Sequence, residues 1–232
     1  MQYRAVLFDL DDTLYPYPPC NEAGKRAAYE TFLDQGYELD RETFRERYQE
    51  ARREVKRELA GTASAHERFL YFKRLITAHA DTHRSDDALA LGEAYWGAYV
   101  EAMELFDGVE ETFATLREAG VDVAIVTNLT TRIQLEKIRH LGLEDHIDYL
   151  LTSEETGREK PSSVMFTLTL ARLDKRPSEA LMVGDSPTSD IEGGNAVGLD
   201  TVLVNNDAED LSGHEQPDFR LDSVADVPEV AL

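Results

Sequence analysis

The chain has 232 residues, of which 46 are acidic and 24 are basic, and its formal net charge is -22. A chain this acidic repels the phosphates of nucleic acids and anionic membrane surfaces, which excludes binding to either as its main function. Its hydrophobic fraction of 42% is nevertheless large enough for a proper core, so the composition also argues against global disorder.

Four short apolar runs predict the strands of a parallel sheet. They are continuous rather than alternating and rich in branched residues, the pattern of strands that are covered on both faces. They lie at residues 5–8, 123–126, 180–183 and 201–204. A weaker strand is predicted at residues 149–151 and an edge strand near residues 219–221.

The segment between the first two runs has a different character. From residue 21 to residue 104 it carries almost no strand signal. Apolar residues recur there at helical spacing among charged ones, as at Phe44, Tyr48, Ala51, Val55 and Leu59. This pattern predicts a helical subdomain inserted after the first strand. We therefore divide the chain into an α/β core, residues 1–15 and 106–232, and a helical subdomain, residues 16–105.

Helices are predicted to alternate with the later strands, at residues 109–119, 131–141 and 161–173. Pairs that resemble capping boxes, Asp107 with Glu110 and Thr131 with Gln134, predict the starts of the first two. Pro161 predicts the start of the third, because proline is favoured in the first turn of a helix. Strand alternating with helix predicts a doubly wound, parallel, Rossmann-like α/β sheet.

Cysteine content and the N-terminal segment predict a cytoplasmic protein. The single cysteine, Cys20, cannot form an intrachain disulfide, which fits a reducing compartment. The N-terminal segment does not resemble a signal peptide, and no apolar run approaches membrane-spanning length. The excess of carboxylates favours a saline, halophilic setting, where salt screens self-repulsion, and folding in graded KCl tests this hypothesis. We expect a monomer or a homodimer.

Polar residues follow the apolar runs directly, at the edge of the sheet where open α/β proteins bind ligands. They are Asp9, Asp11 and Asp12 after the first run, Thr127 and Asn128 after the second, and Asp185, Ser186 and Asp190 after the third, with Lys160 where a helix begins. Carboxylates gathered this closely cannot all stay ionised without a cation, and hard oxygen ligands suit Mg²⁺.

Such a cluster can perform phosphoryl transfer. With a cation present, Lys160, the Thr127 hydroxyl and backbone N–H groups can surround a phosphoryl group. A carboxylate can attack phosphorus to give an aspartyl phosphate. A second carboxyl group two residues away can protonate the leaving alcohol and then deprotonate the hydrolytic water.

Four motifs in this order resemble those of the haloacid dehalogenase superfamily of hydrolases, in its phosphatase branch with an α-helical cap. The motifs are Asp9-Leu10-Asp11-Asp12-Thr13, Val126-Thr127-Asn128, Lys160-Pro161, and Gly184-Asp185-Ser186 with Asp190. The inserted helical segment stands where that family has its cap, so the resemblance covers nearly the whole chain.

The resemblance implies roles for the residues that contact the substrate. Asp9 would be the nucleophile and Asp11 the general acid and base. Thr127 and Lys160 would hold the phosphate, with Asn128 assisting.

The resemblance also implies a magnesium site. Mg²⁺ would be bound by the Asp9 carboxylate, the Asp11 backbone carbonyl and Asp185. Asp190 and Ser186 would support this site without being its main ligands.

The implied reaction is Mg²⁺-dependent hydrolysis of a small phosphate monoester, such as a sugar phosphate, phosphoglycolate or a nucleoside monophosphate. A phosphomutase shares these motifs and stays open as an alternative. A metal-independent 2-haloacid dehalogenase also uses an aspartate nucleophile, but that branch lacks the second motif aspartate, so Asp11 with Asp185 favours phosphorus. A non-catalytic scaffold protein should have lost the nucleophile or a metal ligand, and none is lost here.

Overall fold

The computed structural model describes residues 3–232. The chain divides into two compact units. One comprises the chain up to Pro16 together with Glu104–Leu232, and the other comprises Tyr17–Met103. Among residues 3–232, no helix combines the length and the apolar character that crossing a membrane requires.

The unit Tyr17–Met103 is helical. Its α-helices are α1 (Tyr17–Asp34), α2 (Arg41–Glu58), α3 (Arg68–Ala80) and α4 (Ser85–Glu101). In α2, Phe44, Tyr48, Ala51 and Val55 are all buried, so the helical spacing of apolar residues defines the face that packs inward.

The other unit is built on a six-stranded sheet within residues 3–232 in which every pairing is parallel. Its strands are β1 (Ala5–Phe8), β2 (Asp122–Thr127), β3 (Tyr149–Thr152), β4 (Ala180–Gly184), β5 (Asp200–Val204) and β6 (Phe219–Leu221). The strand order is β3-β2-β1-β4-β5-β6. In this doubly wound order the direction of winding reverses between β1 and β4, so a ligand crevice is expected at their carboxyl ends.

The α-helices of this unit lie between and after the strands. They are α5 (Val109–Glu118), α6 (Thr131–His140), α7 (Ser153–Thr156), α8 (Ser163–Leu173), α9 (Gly193–Val197) and α10 (Val227–Ala231). Helix α5 follows the helical unit in the connection from β1 to its parallel neighbour β2, and α6 connects β2 to its parallel neighbour β3.

Both faces of the sheet are covered, which explains the continuous apolar runs. Leu7 and Phe8 are adjacent in β1 and therefore point to opposite faces. Leu7 belongs to a core cluster that includes Phe166 of α8. The ring of Phe8 lies 4.8 Å, centroid to centroid, from the ring of Phe113 in α5. The predicted Rossmann-like fold is thus confirmed.

The cap of one helix and the start of another differ from the sequence-based expectation. Gly108 precedes α5 with φ of +83°, and no side-chain hydrogen bond caps the helix there. The capping box predicted from Asp107 and Glu110 is therefore wrong, because the left-handed glycine rather than the aspartate turns the chain into the helix. The prediction for α8 is also wrong by two residues. It begins beyond Pro161, because Ser162 has ψ of 127°, outside the helical range.

Candidate active site

Asp9 directly follows β1, at the carboxyl end of the strand, where the strand order predicts the ligand crevice. Its backbone N donates to Val183 O at 2.9 Å, which keeps the residue aligned with β4. The residue is only 8% exposed. Its Oδ1 accepts a hydrogen bond from Lys160 Nζ at 2.5 Å, and Thr13 Oγ1 lies 3.2 Å from its Oδ2. Two donors on two different oxygens therefore fix the orientation of this carboxylate.

Two further carboxylates approach Asp9 from beyond β4. Asp185 follows that strand directly, and Asp190 lies in the π-helical turn Pro187–Glu192. One carboxylate oxygen from each of the three aspartates lies within 4.8 Å of the other two. Hard oxygen atoms grouped in this way fit a divalent cation, so these residues could hold a metal ion.

Gly184 allows Asp190 to reach this cluster. A Cβ built on Gly184 would lie 2.3 Å from the Asp190 carboxyl carbon, so a larger residue would push the carboxylate away. Asp190 Oδ1 accepts a hydrogen bond from Lys160 Nζ at 2.6 Å, and its Oδ2 accepts one from Ser186 N at 3.0 Å. The Ser186 hydroxyl accepts a hydrogen bond from Ser189 N at 3.1 Å, so it caps the turn.

The electrostatics of this cluster oppose full ionisation. Burial raises the pKa of Asp9 to about 7, although the charge of Lys160 acts in the opposite direction. Burial also raises the pKa of Asp185 to about 8, and the charges of Asp9 and Asp190 add to this effect. Burial alone would lower the pKa of Lys160, but Asp190 and Asp9 outweigh it and hold that pKa above its usual value. A bound cation would favour the ionised carboxylates.

Asn128 ties Lys160 to the loop that follows β2. Its Oδ1 accepts a hydrogen bond from Lys160 N at 2.8 Å, and its Nδ2 lies 3.4 Å from Lys160 O. The next peptide bond, between Lys160 and Pro161, is cis. Lys160 is 3% exposed and lies between two carboxylates, so its ammonium group is both buried and neutralised.

Thr127 ends β2 and is fully buried. Its Oγ1 accepts a hydrogen bond from Gln134 Nε2 at 2.6 Å, and the same nitrogen lies 3.1 Å from Asn128 O. Gln134 therefore does not serve the capping box predicted with Thr131, and that prediction is wrong. The Thr127 hydroxyl still carries its own proton and can act as a donor.

The Asp11 carboxylate lies in a different set of contacts from the cluster of Asp9, Asp185 and Asp190. Its Oδ1 accepts a hydrogen bond from Lys137 Nζ at 2.7 Å and another from the Tyr15 hydroxyl. The two aspartates of the first motif therefore have distinct surroundings.

Sequence reasoning missed the contact of Gln134 with Thr127 and did not single out Lys137. Both lie on the buried face of α6 together with Ile133 and Ile138. Their spacing relative to these isoleucines was the available signal, because residues three and four apart share a helix face. When a lysine and a glutamine lie on the apolar face of a helix, this indicates that other buried polar groups bind their side chains.

Removal of metal is expected to make the stability of the protein depend strongly on pH. The pKa values of Asp9 and Asp185 are raised in the folded state, to about 7 and about 8, from an ordinary 3.8. A raised folded-state pKa stabilises at low pH, and this contribution is lost as pH rises through the folded values. We expect the melting temperature of EDTA-treated protein, at fixed KCl, to fall as the pH rises from about 5 to about 8, the range between the ordinary and the raised pKa values.

The control for this prediction is Asp185→Asn, which removes one of the two titrating groups. Its metal-free melting temperature should depend less on pH than that of the unchanged protein. Mg²⁺ should also raise the melting temperature of the unchanged protein more at the higher pH. Equal melting temperatures of the metal-free protein at both pH values would contradict the electrostatic account.

The Rossmann-like sheet thus carries an aspartate cluster and a buried lysine beyond its central strands. The model of the haloacid dehalogenase-like hydrolase family matches residues 3–198. The chain belongs to this family.

Two relatives are similar along most of their length. A ribulose-1,5-bisphosphate 5-phosphatase from Halopiger xanaduensis is 59% identical over 199 residues, covering 86% of this chain and 83% of the relative. A glyceraldehyde 3-phosphate phosphatase from Methanopyrus kandleri is 32% identical over 226 residues, covering 94% of this chain and 93% of the relative.

Two solved structures share the architecture. A 2-haloacid dehalogenase from Pseudomonas syringae has a TM-score of 0.79 at 26% identity, covering 98% of this chain and 97% of that one. The HAD-hydrolase YfnB from Bacillus subtilis, whose crystal structure contains magnesium, has a TM-score of 0.73 at 26% identity, covering 100% and 99%.

Proposed function

We propose that this protein is a Mg²⁺-dependent phosphatase that hydrolyses a phosphate monoester of a small sugar through an aspartyl-phosphate intermediate. The observation that carries the proposal is the contact set of Asp9. This buried carboxylate is held by Lys160 beside two further aspartates, and a separately held carboxyl group, Asp11, stands two residues further along.

In the proposed reaction, an oxygen of Asp9 attacks phosphorus and forms the P–O bond of an aspartyl phosphate. The bond from phosphorus to the leaving oxygen breaks, and the carboxyl proton of Asp11 passes to that oxygen, which leaves as an alcohol. Asp11 then takes a proton from water as the water oxygen attacks phosphorus. The bond from phosphorus to Asp9 breaks, which releases inorganic phosphate and restores both carboxyl groups.

Phosphate binding is assigned to three residues. The Lys160 ammonium group supplies positive charge beside Asp9, and the Thr127 hydroxyl supplies a hydrogen-bond donor. Asn128 assists by fixing the Lys160 backbone, as its contact at 2.8 Å indicates.

Mg²⁺ is the proposed cofactor, because the candidate ligands are carboxylate oxygens and the ion prefers hard oxygen donors. We assign it to the Asp9 carboxylate, the Asp11 backbone carbonyl and Asp185. Asp190 supports the site from its position between Lys160 and the Ser186 backbone. When bound there, the ion would neutralise charge on the transferring phosphoryl group.

Ribulose 1,5-bisphosphate is the proposed substrate, with hydrolysis at its 5-phosphate. The support is the relative of that name at 59% identity over 86% of this chain. Glyceraldehyde 3-phosphate is the second candidate, supported by the relative at 32% identity. Both are phosphate esters of primary alcohols on small sugars. A cytoplasmic location and a halophilic setting remain part of this proposal.

A 2-haloacid dehalogenase activity is a competing candidate because of the solved structure with a TM-score of 0.79. It would need the Asp9 nucleophile but neither a proton donor for an alkoxide nor a metal. The presence of both Asp11 and Asp185 favours the phosphatase.

The test is a panel of substrates assayed in molar KCl, with Mg²⁺ and with EDTA. It includes ribulose 1,5-bisphosphate, glyceraldehyde 3-phosphate, phosphoglycolate, a nucleoside monophosphate, p-nitrophenyl phosphate and 2-chloropropionate. We expect phosphate release only with Mg²⁺, with ribulose 1-phosphate as the product from the bisphosphate. Chloride release in EDTA would instead identify a dehalogenase. An isomerised phosphate ester without phosphate release would identify a mutase, and no turnover of any compound would favour a scaffold.

A further inference from the structure

Lys137 is a buried cation that the proposed reaction does not use directly. It lies on α6, and only 1% of its surface is exposed. Removing an ammonium group from water is costly unless an anion and further polar groups surround it. An apolar residue would fill this position on the buried face at lower cost, so the presence of lysine needs a reason beyond packing.

The anion that meets Lys137 is the Asp11 carboxylate. The Lys137 Nζ lies 2.7 Å from Asp11 Oδ1, and the residues are 126 positions apart in sequence. The Tyr15 hydroxyl donates to the same oxygen. The Lys137 Nζ also lies 5.7 Å from the centre of the Tyr15 ring, within the range of a cation–π interaction.

Two donors on one oxygen fix the rotamer of the carboxyl group. An oxygen that already accepts from an ammonium group and a phenol is a poor site for a proton, so Oδ2 is the atom through which Asp11 would exchange a proton with substrate or water. Proton transfer requires the donor atom within hydrogen-bond reach of its target, so the orientation of Oδ2 decides whether Asp11 can act.

We infer that Lys137 is a positioning residue for the reaction: it holds Asp11 Oδ1, with Tyr15, so that Oδ2 faces the leaving oxygen. This inference rests on the acid and base role that we propose for Asp11. Gln134, one helical turn earlier on the same face of α6, holds Thr127 in a similar way. Through these two side chains the helix contacts two groups that the proposed reaction uses, Thr127 and Asp11.

The experiment compares two esters that differ in their need for a general acid. An alkyl phosphate leaves as an alkoxide that must be protonated, whereas p-nitrophenolate leaves without a proton. The value of kcat/KM reports only the steps up to departure of the leaving group. For Lys137→Met, we expect kcat/KM to fall at least about 30-fold for the best alkyl phosphate of the panel but less than about threefold for p-nitrophenyl phosphate, since general acid catalysis contributes about 10²–10⁴-fold.

Arg139→Met is the matched control, because Arg139 is an exposed basic residue on the same helix. It should change neither rate by more than about twofold, in line with surface substitutions generally. If Lys137→Met does not fold, Lys137→Gln replaces it in the same comparison, because glutamine keeps a hydrogen-bond donor but removes the charge. Thermal melting with Mg²⁺ checks that each variant is folded.

An equal loss of kcat/KM for both esters in a folded variant would overturn the inference, because a merely structural role lowers both alike. No loss for either ester would overturn it too. A double variant tests whether Lys137 acts through Asp11. In an Asp11→Asn background, Lys137→Gln should lower kcat/KM for the alkyl phosphate by less than about threefold more, because the effects of coupled residues are not additive. If the unchanged protein hydrolyses no ester, the proposed function fails, which is a separate outcome.

Discussion

Asp9→Asn is expected to abolish turnover while the protein stays folded. Removing a catalytic nucleophile costs about 10⁴-fold or more in kcat, because the covalent route is lost and an amide is a poor nucleophile. Asparagine has nearly the same shape as aspartate, and Lys160 keeps Asp190 as a carboxylate partner at 2.6 Å. The loss should therefore appear in kcat rather than in the melting temperature.

The measurement is phosphate release from the best substrate with Mg²⁺, combined with thermal melting. Asp174→Asn is a suitable control, because Asp174 is exposed and has φ of +54°, a conformation that asparagine also adopts readily. It removes the same charge and should leave kcat within about twofold, as surface substitutions usually do. Residual activity of Asp9→Asn above about 1%, with mass spectrometry excluding deamidation to aspartate, would refute the nucleophile assignment.

The strands could be predicted from the sequence because each is short, apolar and covered on both faces. Every residue of β1 and β4 is buried, so each run reads as continuous hydrophobic sequence. The starts of helices were harder to predict. Asp107 precedes α5 and matches a capping pattern, yet Gly108 with its positive φ makes the turn. Local patterns of this kind compete, and tertiary packing decides between them.

The candidate site could be predicted in part, for a reason of topology. Residues that follow β1, β2 and β4 must gather at one edge of a parallel sheet, so their types alone indicated a metal and phosphate site. The contacts within the site could not be predicted in the same way. Nothing in the sequence indicates that Lys160 lies between Asp9 and Asp190, at 2.5 and 2.6 Å.

Lys137 shows the limit of sequence reasoning most clearly. A lysine on a helix is ordinarily read as solvent-exposed, since an unpaired ammonium group is almost never buried. Its partner Asp11 is 126 residues away, so the pair becomes visible only in three dimensions. The apolar neighbours Ile133 and Ile138 mark the face, but they do not identify the partner.

The two buried lysines also change the interpretation of the net charge of -22. The overall charge repels polyanions at long range, but long-range repulsion between exposed charges is screened within about 10 Å at 0.1 M salt. Lys160 and Lys137 are 3% and 1% exposed and lie where screening is weak. Both lysines are already paired with carboxylates, so attraction of a small dianion would also need the proposed Mg²⁺ to offset the aspartates of the cluster.

Asp11→Asn is expected to slow both half-reactions, and p-nitrophenyl phosphate can separate them. An amide can neither donate the proton that an alkoxide needs nor accept one from water, so turnover of an alkyl phosphate should fall by about 10²–10⁴-fold. With p-nitrophenyl phosphate, the first step needs no proton, whereas hydrolysis of the aspartyl phosphate still needs a base. Stopped-flow mixing should therefore show a burst of p-nitrophenolate equal to the enzyme concentration, followed by slow turnover.

The burst is the decisive observation, because a variant that merely binds substrate poorly would not accumulate a phosphoenzyme. Asp9→Asn must show no burst, since it lacks the group that is phosphorylated. Asp11→Asn should also keep the backbone carbonyl that we assign to the metal. The Mg²⁺ concentration for half-maximal activity should therefore stay within about threefold of that of the unchanged protein. Unchanged alkyl phosphate kinetics, or slow turnover without a burst, would contradict the acid and base role of Asp11.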